Sequence, residues 1–109
     1  MKTLELNNVI LDIKTILTHN PAQIRRVGVF GSLAKGKIHN DSDIDIAIEY
    51  ETGENLDKYN FDSFVTFCET CEILSKGMSK MYRRKIDVVQ VEEKQGGFLD
   101  DIRDEVVWI

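Results

Sequence analysis

Apolar side chains recur at steps of three and four residues in two stretches of the chain, a spacing typical of amphipathic helices. The first stretch covers residues 6–17. Asn20-Pro21 predicts that this helix ends near His19, because the residue before a proline disfavours helical conformation. The second stretch covers roughly residues 61–80. The pattern therefore predicts two long helices.

Three short apolar runs, rich in β-branched residues, predict strands. They are VGVF at 27–30, IDIAI at 44–48 and IDVVQV at 86–91. The polar segment 50–59 contains a glycine and predicts a loop. The closing residues VVWI, 106–109, are expected to form an edge strand.

Helices and strands alternate along the chain, and this order favours an α/β or α+β layer fold. We predict a small mixed β-sheet flanked by helices and covered largely on one face. A further short amphipathic helix is predicted over FLDDIRDE, 98–105, after Gly96-Gly97. A chain of 109 residues is long enough for one hydrophobic core, so we expect residues 1–109 to form a single domain.

The charge balance narrows the class of partner. The chain has 14 basic and 19 acidic side chains, and its net charge of −5 argues against broad contact with a nucleic-acid backbone. It has no apolar run long enough for a membrane span and no basic-then-apolar segment at its N-terminus. We therefore expect no direct nucleic-acid partner, no membrane association and a cytoplasmic location.

Cys68 and Cys71 form a C-x-x-C pair inside the second helical pattern. A redox pair of this kind normally opens a helix after a strand, whereas these cysteines lie about two turns into the predicted helix. Zinc would require two further ligands, and His19 and His39 do not have ligand spacing. We expect both cysteines to pack in the core.

Residues 31–38, GSLAKGKI, are similar to a phosphate-binding P-loop but fail two of its requirements. Gly31, Gly36 and Lys37 fit G-x-x-x-x-G-K-[ST], but Ile38 stands where a Mg²⁺-binding hydroxyl belongs. A P-loop lysine also leads into a helix, whereas the residues after Lys37 are helix breakers followed by a strand. The segment is therefore not a P-loop.

Aspartates at the start of the second and third strands are the strongest candidates for chemistry. Asp43 and Asp45 lie two residues apart on a strand, so their side chains project from one face and a cation would relieve their repulsion. Asp87 starts a strand that could join the same cluster. Three carboxylates suit Mg²⁺, held partly by a substrate's phosphates. Upstream, Gly31 lets the backbone approach a phosphate, and Ser32 can donate hydrogen bonds to it.

This order of motifs resembles the nucleotidyltransferase fold of the DNA polymerase β superfamily. A strand is followed by Gly31-Ser32, residues 33–42 and Asp43-Ile44-Asp45, and Asp87 matches the third acid. The resemblance covers roughly residues 24–109. In size and layout it extends to the minimal nucleotidyltransferase (MNT) proteins. Lys35 stands where many relatives carry arginine, which keeps the charge but loses the forked hydrogen bonding of a guanidinium.

The resemblance implies transfer of AMP from ATP to an acceptor hydroxyl with the help of two Mg²⁺ ions. Asp43 and Asp45 would bind both ions. Asp87 would complete the shell of the second ion and help to deprotonate the acceptor. The three aspartates are thus the expected catalytic and metal-binding residues.

The same resemblance implies the nucleotide contacts and the partner. Gly31 and Ser32 would bind the β- and γ-phosphates of the nucleoside triphosphate, and Lys35 would neutralise the departing pyrophosphate. MNT proteins typically act as antitoxins beside a HEPN-domain ribonuclease, so we expect such a toxin as partner and its tyrosine as acceptor. Both a homo-oligomer and a hetero-oligomer with the toxin are compatible with the sequence.

Three other interpretations of the acidic cluster are compatible with the sequence. The aspartates could be a polar cap on the strand ends, or the protein could be an inactive antitoxin that neutralises its toxin by docking. The acceptor could also be a small molecule such as an aminoglycoside. Relatives that modify small molecules usually carry an extra domain, so the size of this chain favours a protein acceptor.

Overall fold

Two long helices and a four-stranded sheet make up most of the described structure. The computed structural model describes residues 4–19, 24–37, 42–50, 61–91, 102 and 104–109. The elements are α1 (Leu6–His19), β1 (Ile24–Phe30), α2 (Gly31–Ala34), β2 (Ile44–Tyr50), α3 (Phe61–Tyr82), β3 (Ile86–Val91) and β4 (Val107–Trp108). The two long helices and four strands predicted from the sequence are all present. None of the helices in these ranges has the length and apolar character that crossing a membrane requires.

The four strands form one mixed sheet in the order β3-β2-β1-β4. β1 pairs with β2 and with β4 in antiparallel fashion, whereas β2 and β3 are parallel. Parallel neighbours need a crossover connection, and α3 lies in the chain between β2 and β3. The expected mixed sheet flanked by helices is therefore confirmed, and β4 is an edge strand as predicted.

One face of the sheet packs against α1 and α3, and we call it the helix face. Ile44, Ile46 and Ile48 point to this face from alternate positions of β2 and are fully buried. Burial of each such side chain contributes about 1.5–3 kcal/mol relative to its exposure. The same cluster contains Val9, Ile13, Val27, Val29, Leu33, Phe67, Leu74, Met78 and Tyr82. A buried hydrogen bond of 2.6 Å from the Tyr82 hydroxyl to Asp12 Oδ2 also joins the two helices.

The opposite side of the sheet, which we call the second face, has a smaller apolar cluster. Its members are Phe30, Ala47, Val91 and Ile102, with Val89, Val106 and Trp108 packed against them. Gly28 lets β4 come close, because a Cβ there would lie 2.8 Å from Cε3 of Trp108. Arg26 Nε donates to Glu49 Oε2 at 2.6 Å, and the guanidinium lies 4.1 Å from the centre of the Trp108 ring. The ion pair of Arg26 and Glu49 thus lies at one end of this face.

The packing of α3 differs from the sequence prediction at the cysteines. Cys68 is exposed and Cys71 is half-buried, so the expectation that both pack in the core is wrong for Cys68. α3 instead turns a stripe that includes Phe67, Leu74 and Met78 toward the sheet. Cys68 follows Phe67 directly and so lies about 100° around the helix from that stripe.

Some boundaries also differ from the prediction or lie outside the described residues. β1 begins at Ile24, ahead of the predicted run 27–30. Its first residues include Arg25 and Arg26, charged side chains that an apolar pattern misses, and both pair with Glu49, at 3.4 and 2.6 Å. The predicted loop 50–59 lies outside the described residues from position 51 onward. Of the predicted helix 98–105, residue 102 is helical, residues 104 and 105 form a turn, and the others are not described.

Candidate active site

The first residues of β2 and β3 bring two aspartates side by side. Parallel pairing sets Asp45 of β2 opposite Asp87 of β3, one step after the pair formed by Ile44 and Ile86. Because side chains alternate along a strand, burial of Ile44 and Ile46 on the helix face turns Asp45 to the second face. The register therefore places Asp87 beside Asp45, at the end of the second face away from Glu49.

Gly31 brings the main chain against the same carboxylate. Asp45 pairs with Phe30 on its other side, and Gly31 follows Phe30 directly. Gly31 has a φ of +74°, and a Cβ added there would collide with the Asp45 carboxylate. Glycine is thus required both for the left-handed backbone and for space. The turn after β1 therefore lies against Asp45, one member of the acid pair.

Ser32 and Lys35 lie on the short helix and turn that follow Gly31. α2 has only four residues, and the amides of Lys35 and Lys37 donate to the carbonyl oxygens of Gly31 and Ser32 at 3.1 and 2.9 Å. Ser32 is half-buried and Lys35 is exposed. The three residues expected to bind nucleotide are therefore grouped in one tight turn beside the acids.

The environment of Asp45 favours binding of a proton or a cation. Burial raises the pKa of Asp45 above its ordinary value, and the charges of Asp87 and Asp43 raise it further. A hydrogen bond with Asp87 and the charge of Glu105 act on this pKa in the same direction. A divalent cation would relieve the same repulsion that the proton relieves.

Asp43 lies next to the close pair and acts on it through charge. It directly precedes β2 and is half-buried. Within the described ranges, no three His, Cys, Asp or Glu side chains are placed to ligate one ion together. Asp45 and Asp87 therefore form the direct pair. All of these donors are carboxylate oxygens, so the residues fit Mg²⁺ better than a soft metal. Gly31 adds no side chain beside them.

A comparison of the whole sequence with protein families gives the same result as the motif order. Residues 12–109 match the family described as polymerase beta, nucleotidyltransferase. The chain belongs to this family. The resemblance inferred from Gly31-Ser32 and Asp43-Ile44-Asp45 is thereby confirmed.

Two sequence relatives and one solved structure extend along most of this nucleotidyltransferase. Protein adenylyltransferase MntA of Thermococcus cleftensis is 26% identical over 104 residues, which cover 90% of this chain and 93% of that protein. A candidate protein adenylyltransferase of Methanocaldococcus jannaschii is 35% identical over 77 residues, 70% of each protein. A mutant of the toxin–antitoxin MntA-HpeT shares the fold with a TM-score of 0.59 at 19% identity, covering 98% of this chain and 72% of that chain.

Sequence reasoning missed two basic residues of this nucleotidyltransferase that flank the acids. Arg84 Nη1 donates to the Ser42 carbonyl oxygen at 2.8 Å and so ties the chain before β3 to the residue before Asp43. Lys85 Nζ lies 3.6 Å from Asp87 Oδ1. The signal in the sequence was the basic run directly before β3. If β2 and β3 pair in parallel, that run must lie beside the start of β2.

An acidic residue from a distant part of the chain was also missed. Glu105 Oε2 lies 2.8 Å from Lys35 Nζ, and the charge of Glu105 contributes to the raised pKa of Asp45. The sequence pattern assigned residue 105 to the end of an amphipathic helix, with no link to the site. His39 lies outside the described ranges.

Proposed function

We propose that this nucleotidyltransferase is a Mg²⁺-dependent protein adenylyltransferase. It transfers AMP from ATP to a tyrosine hydroxyl of a HEPN-domain ribonuclease toxin and thereby acts as its antitoxin. The donor ATP is available in the cytoplasm, and we place the reaction there. The observation that carries the proposal is the pairing of Asp45 with Asp87 beside Gly31, which sets two carboxylates against a residue without a side chain.

Each predicted site residue has a distinct part in binding the nucleotide. Asp43, Asp45 and Asp87 would hold the two Mg²⁺ ions. When bound, Mg²⁺ neutralises the triphosphate and polarises the phosphorus–oxygen bond that breaks. The Ser32 hydroxyl, held next to Gly31 by the turn, donates a hydrogen bond to the tail phosphates. Lys35 supplies positive charge where pyrophosphate leaves.

The transfer exchanges one phosphorus–oxygen bond for another. The tyrosine oxygen bonds to the α-phosphorus as the bond to the β-phosphate oxygen breaks, and pyrophosphate leaves with that electron pair. The phenolic proton passes to Asp87, whose side chain is 39% exposed and so reaches the solvent side of the acid pair. Lys85, 3.6 Å from Asp87 Oδ1, offsets part of the negative charge of this carboxylate.

The relatives support the choice of acceptor and partner. The Thermococcus cleftensis relative is named a protein adenylyltransferase and aligns with this chain over most of both proteins. The MntA-HpeT structure, which shares the fold, is a toxin–antitoxin. The HEPN identity of the toxin and the tyrosine acceptor come from the motif resemblance.

Mass spectrometry of the partner tests the proposal. Incubation of the purified pair with ATP and Mg²⁺ should give a toxin heavier by whole AMP groups, carried on a tyrosine peptide. Asp45→Asn keeps the side-chain shape but removes its charge, so this variant should bind the toxin and add nothing. The matched control is Glu72→Gln on the exposed surface of α3, which should transfer normally.

One outcome would favour the docking interpretation. If wild type and Asp45→Asn neutralise the toxin equally well and no adduct forms, the protein acts as an antitoxin by binding alone.

A further inference from the structure

One ion pair links the nucleotide turn to the segment before β4. Lys35 Nζ lies 2.8 Å from Glu105 Oε2, with side chains that are 52% and 25% exposed. Glu105 is fixed by its own turn, in which the amides of Glu105 and Val106 donate to the Ile102 carbonyl oxygen at 2.9 and 3.1 Å. The lysine is the more exposed side chain of the two.

Glu105 lies at the acidic end of the second face. Val107 pairs with Val29 in the antiparallel β1 and β4, so the residues just before β4 lie toward the end of β1, where Gly31 follows. The charge of Glu105 is one of the causes that raise the pKa of Asp45. Glu105 thus adds a further negative charge where a triphosphate is expected to bind.

The contact between Lys35 and Glu105 is a short ion pair without a well-aligned hydrogen bond. Glu105 Oε2 is buried, yet within the described part of the chain it makes no hydrogen bond of good angle, although the ammonium is near. The lysine is thus held by its charge, and its half-exposed, flexible side chain can turn toward another anion.

We propose that Glu105 is an internal counter-anion for Lys35 that the triphosphate tail of the nucleotide displaces. A triphosphate carries several negative charges, whereas Glu105 carries one. The triphosphate also forms charge-assisted hydrogen bonds to a lysine, so it can replace Glu105 as the partner of the Lys35 ammonium. A monophosphate has no tail to reach Lys35. Competition by Glu105 therefore weakens binding of triphosphates and leaves binding of AMP unaffected. The inference rests on the proposed function, which assigns the triphosphate to this end of the site.

Isothermal titration with ATP and with AMP, both in Mg²⁺, tests this role without requiring catalysis. Glu105→Gln should bind ATP about two- to fivefold more tightly than wild type, the scale of one partly exposed ion pair. Its AMP affinity should not change. The gain should vanish when Lys35→Met is present in both proteins, because the competition acts through Lys35.

The chain offers a matched control pair. Glu72 and Lys76 form an ion pair of 2.7 Å on the surface of α3, so Glu72→Gln makes the same change of charge in a similar pair. This variant should bind ATP like wild type. Glu105→Ala provides the same comparison if the glutamine variant melts below the assay temperature.

The remaining outcomes overturn the inference. Weaker ATP binding by Glu105→Gln would mean that Glu105 holds Lys35 in its working position. An equal gain with and without Lys35 would mean simple repulsion between Glu105 and the nucleotide. Unchanged affinity in a protein that binds ATP through Asp45 removes this inference alone. If wild type binds no ATP in Mg²⁺, the proposed function falls with it.

Discussion

The helix face and the second face are built from the same strands but differ in what they bury. Among the described residues, the helix face buries a cluster of twelve residues and the second face a cluster of four. Alternate residues of β2 separate the two faces, with Ile44 and Ile46 on one side and Asp45 on the other. Neighbouring positions on this strand should therefore separate stability from chemistry.

Ile46→Ala should cause the largest loss of stability. Ile46 is fully buried on the helix face, so truncation loses apolar burial and leaves a cavity, at a cost of about 2–5 kcal/mol. Urea denaturation measures the free energy of unfolding. Ile46→Val is the milder control, expected to cost about 0.5–1.5 kcal/mol. An alanine variant as stable as wild type would contradict the assignment of the core to this face.

Asp45→Asn should have the opposite effect on stability, and the effect should depend on pH. The pKa of Asp45 is raised in the folded protein, so the folded state binds this proton more tightly than the unfolded chain. Stability is then lost as the pH rises from the ordinary aspartate range through the raised pKa. Asparagine is uncharged at every pH in this range, so the variant should melt above wild type at pH 8. The difference should shrink toward pH 4, where Asp45 of wild type is protonated in the folded state.

Thermal melts across this pH range measure the difference without Mg²⁺. A melting temperature of Asp45→Asn that falls below wild type at pH 8 would make Asp45 a structural cap of the strand end.

The cysteines should give the smallest effect and sharpen the boundary of the helix face. Cys68 is exposed, so Cys68→Ala should change the free energy of unfolding by less than about 0.5 kcal/mol. Cys71 is half-buried and packs against the core cluster, so Cys71→Ala should cost more than Cys68→Ala. A larger cost at Cys68 would mean that α3 turns a different stripe toward the sheet.

The spacing of apolar residues predicted those element bounds that depend on neighbouring residues alone. The end of α1 at His19 and the bounds of β3 follow from apolar patterns and a proline, and the structure agrees. Two overlapping sets of positions on α3 have apolar steps of three and four, so only packing against the sheet selects Phe67 over Cys68. The first residues of β1 include charged side chains, so the apolar pattern did not predict them as part of the strand.

The candidate site was predictable where its residues share a motif. Gly31, Ser32, Asp43 and Asp45 lie close in sequence, and the start of a third strand pointed to Asp87, which the register places beside Asp45. Their catalytic and binding roles stay predictions. The contact of Lys35 with Glu105 spans most of the chain and depends on the pairing of β4 with β1, so no local pattern contains it.

The central claim is that the acid pair on the second face binds a nucleoside triphosphate together with a divalent cation. The most direct test is the melting temperature of wild type and Asp45→Asn with ATP, in Mg²⁺ and in EDTA. A ligand that binds the folded state raises the melting temperature. We predict a rise for wild type with ATP and Mg²⁺, little rise in EDTA and little rise for Asp45→Asn in either. An ATP-induced rise that persists in EDTA, or that is equal in the variant, would contradict the account.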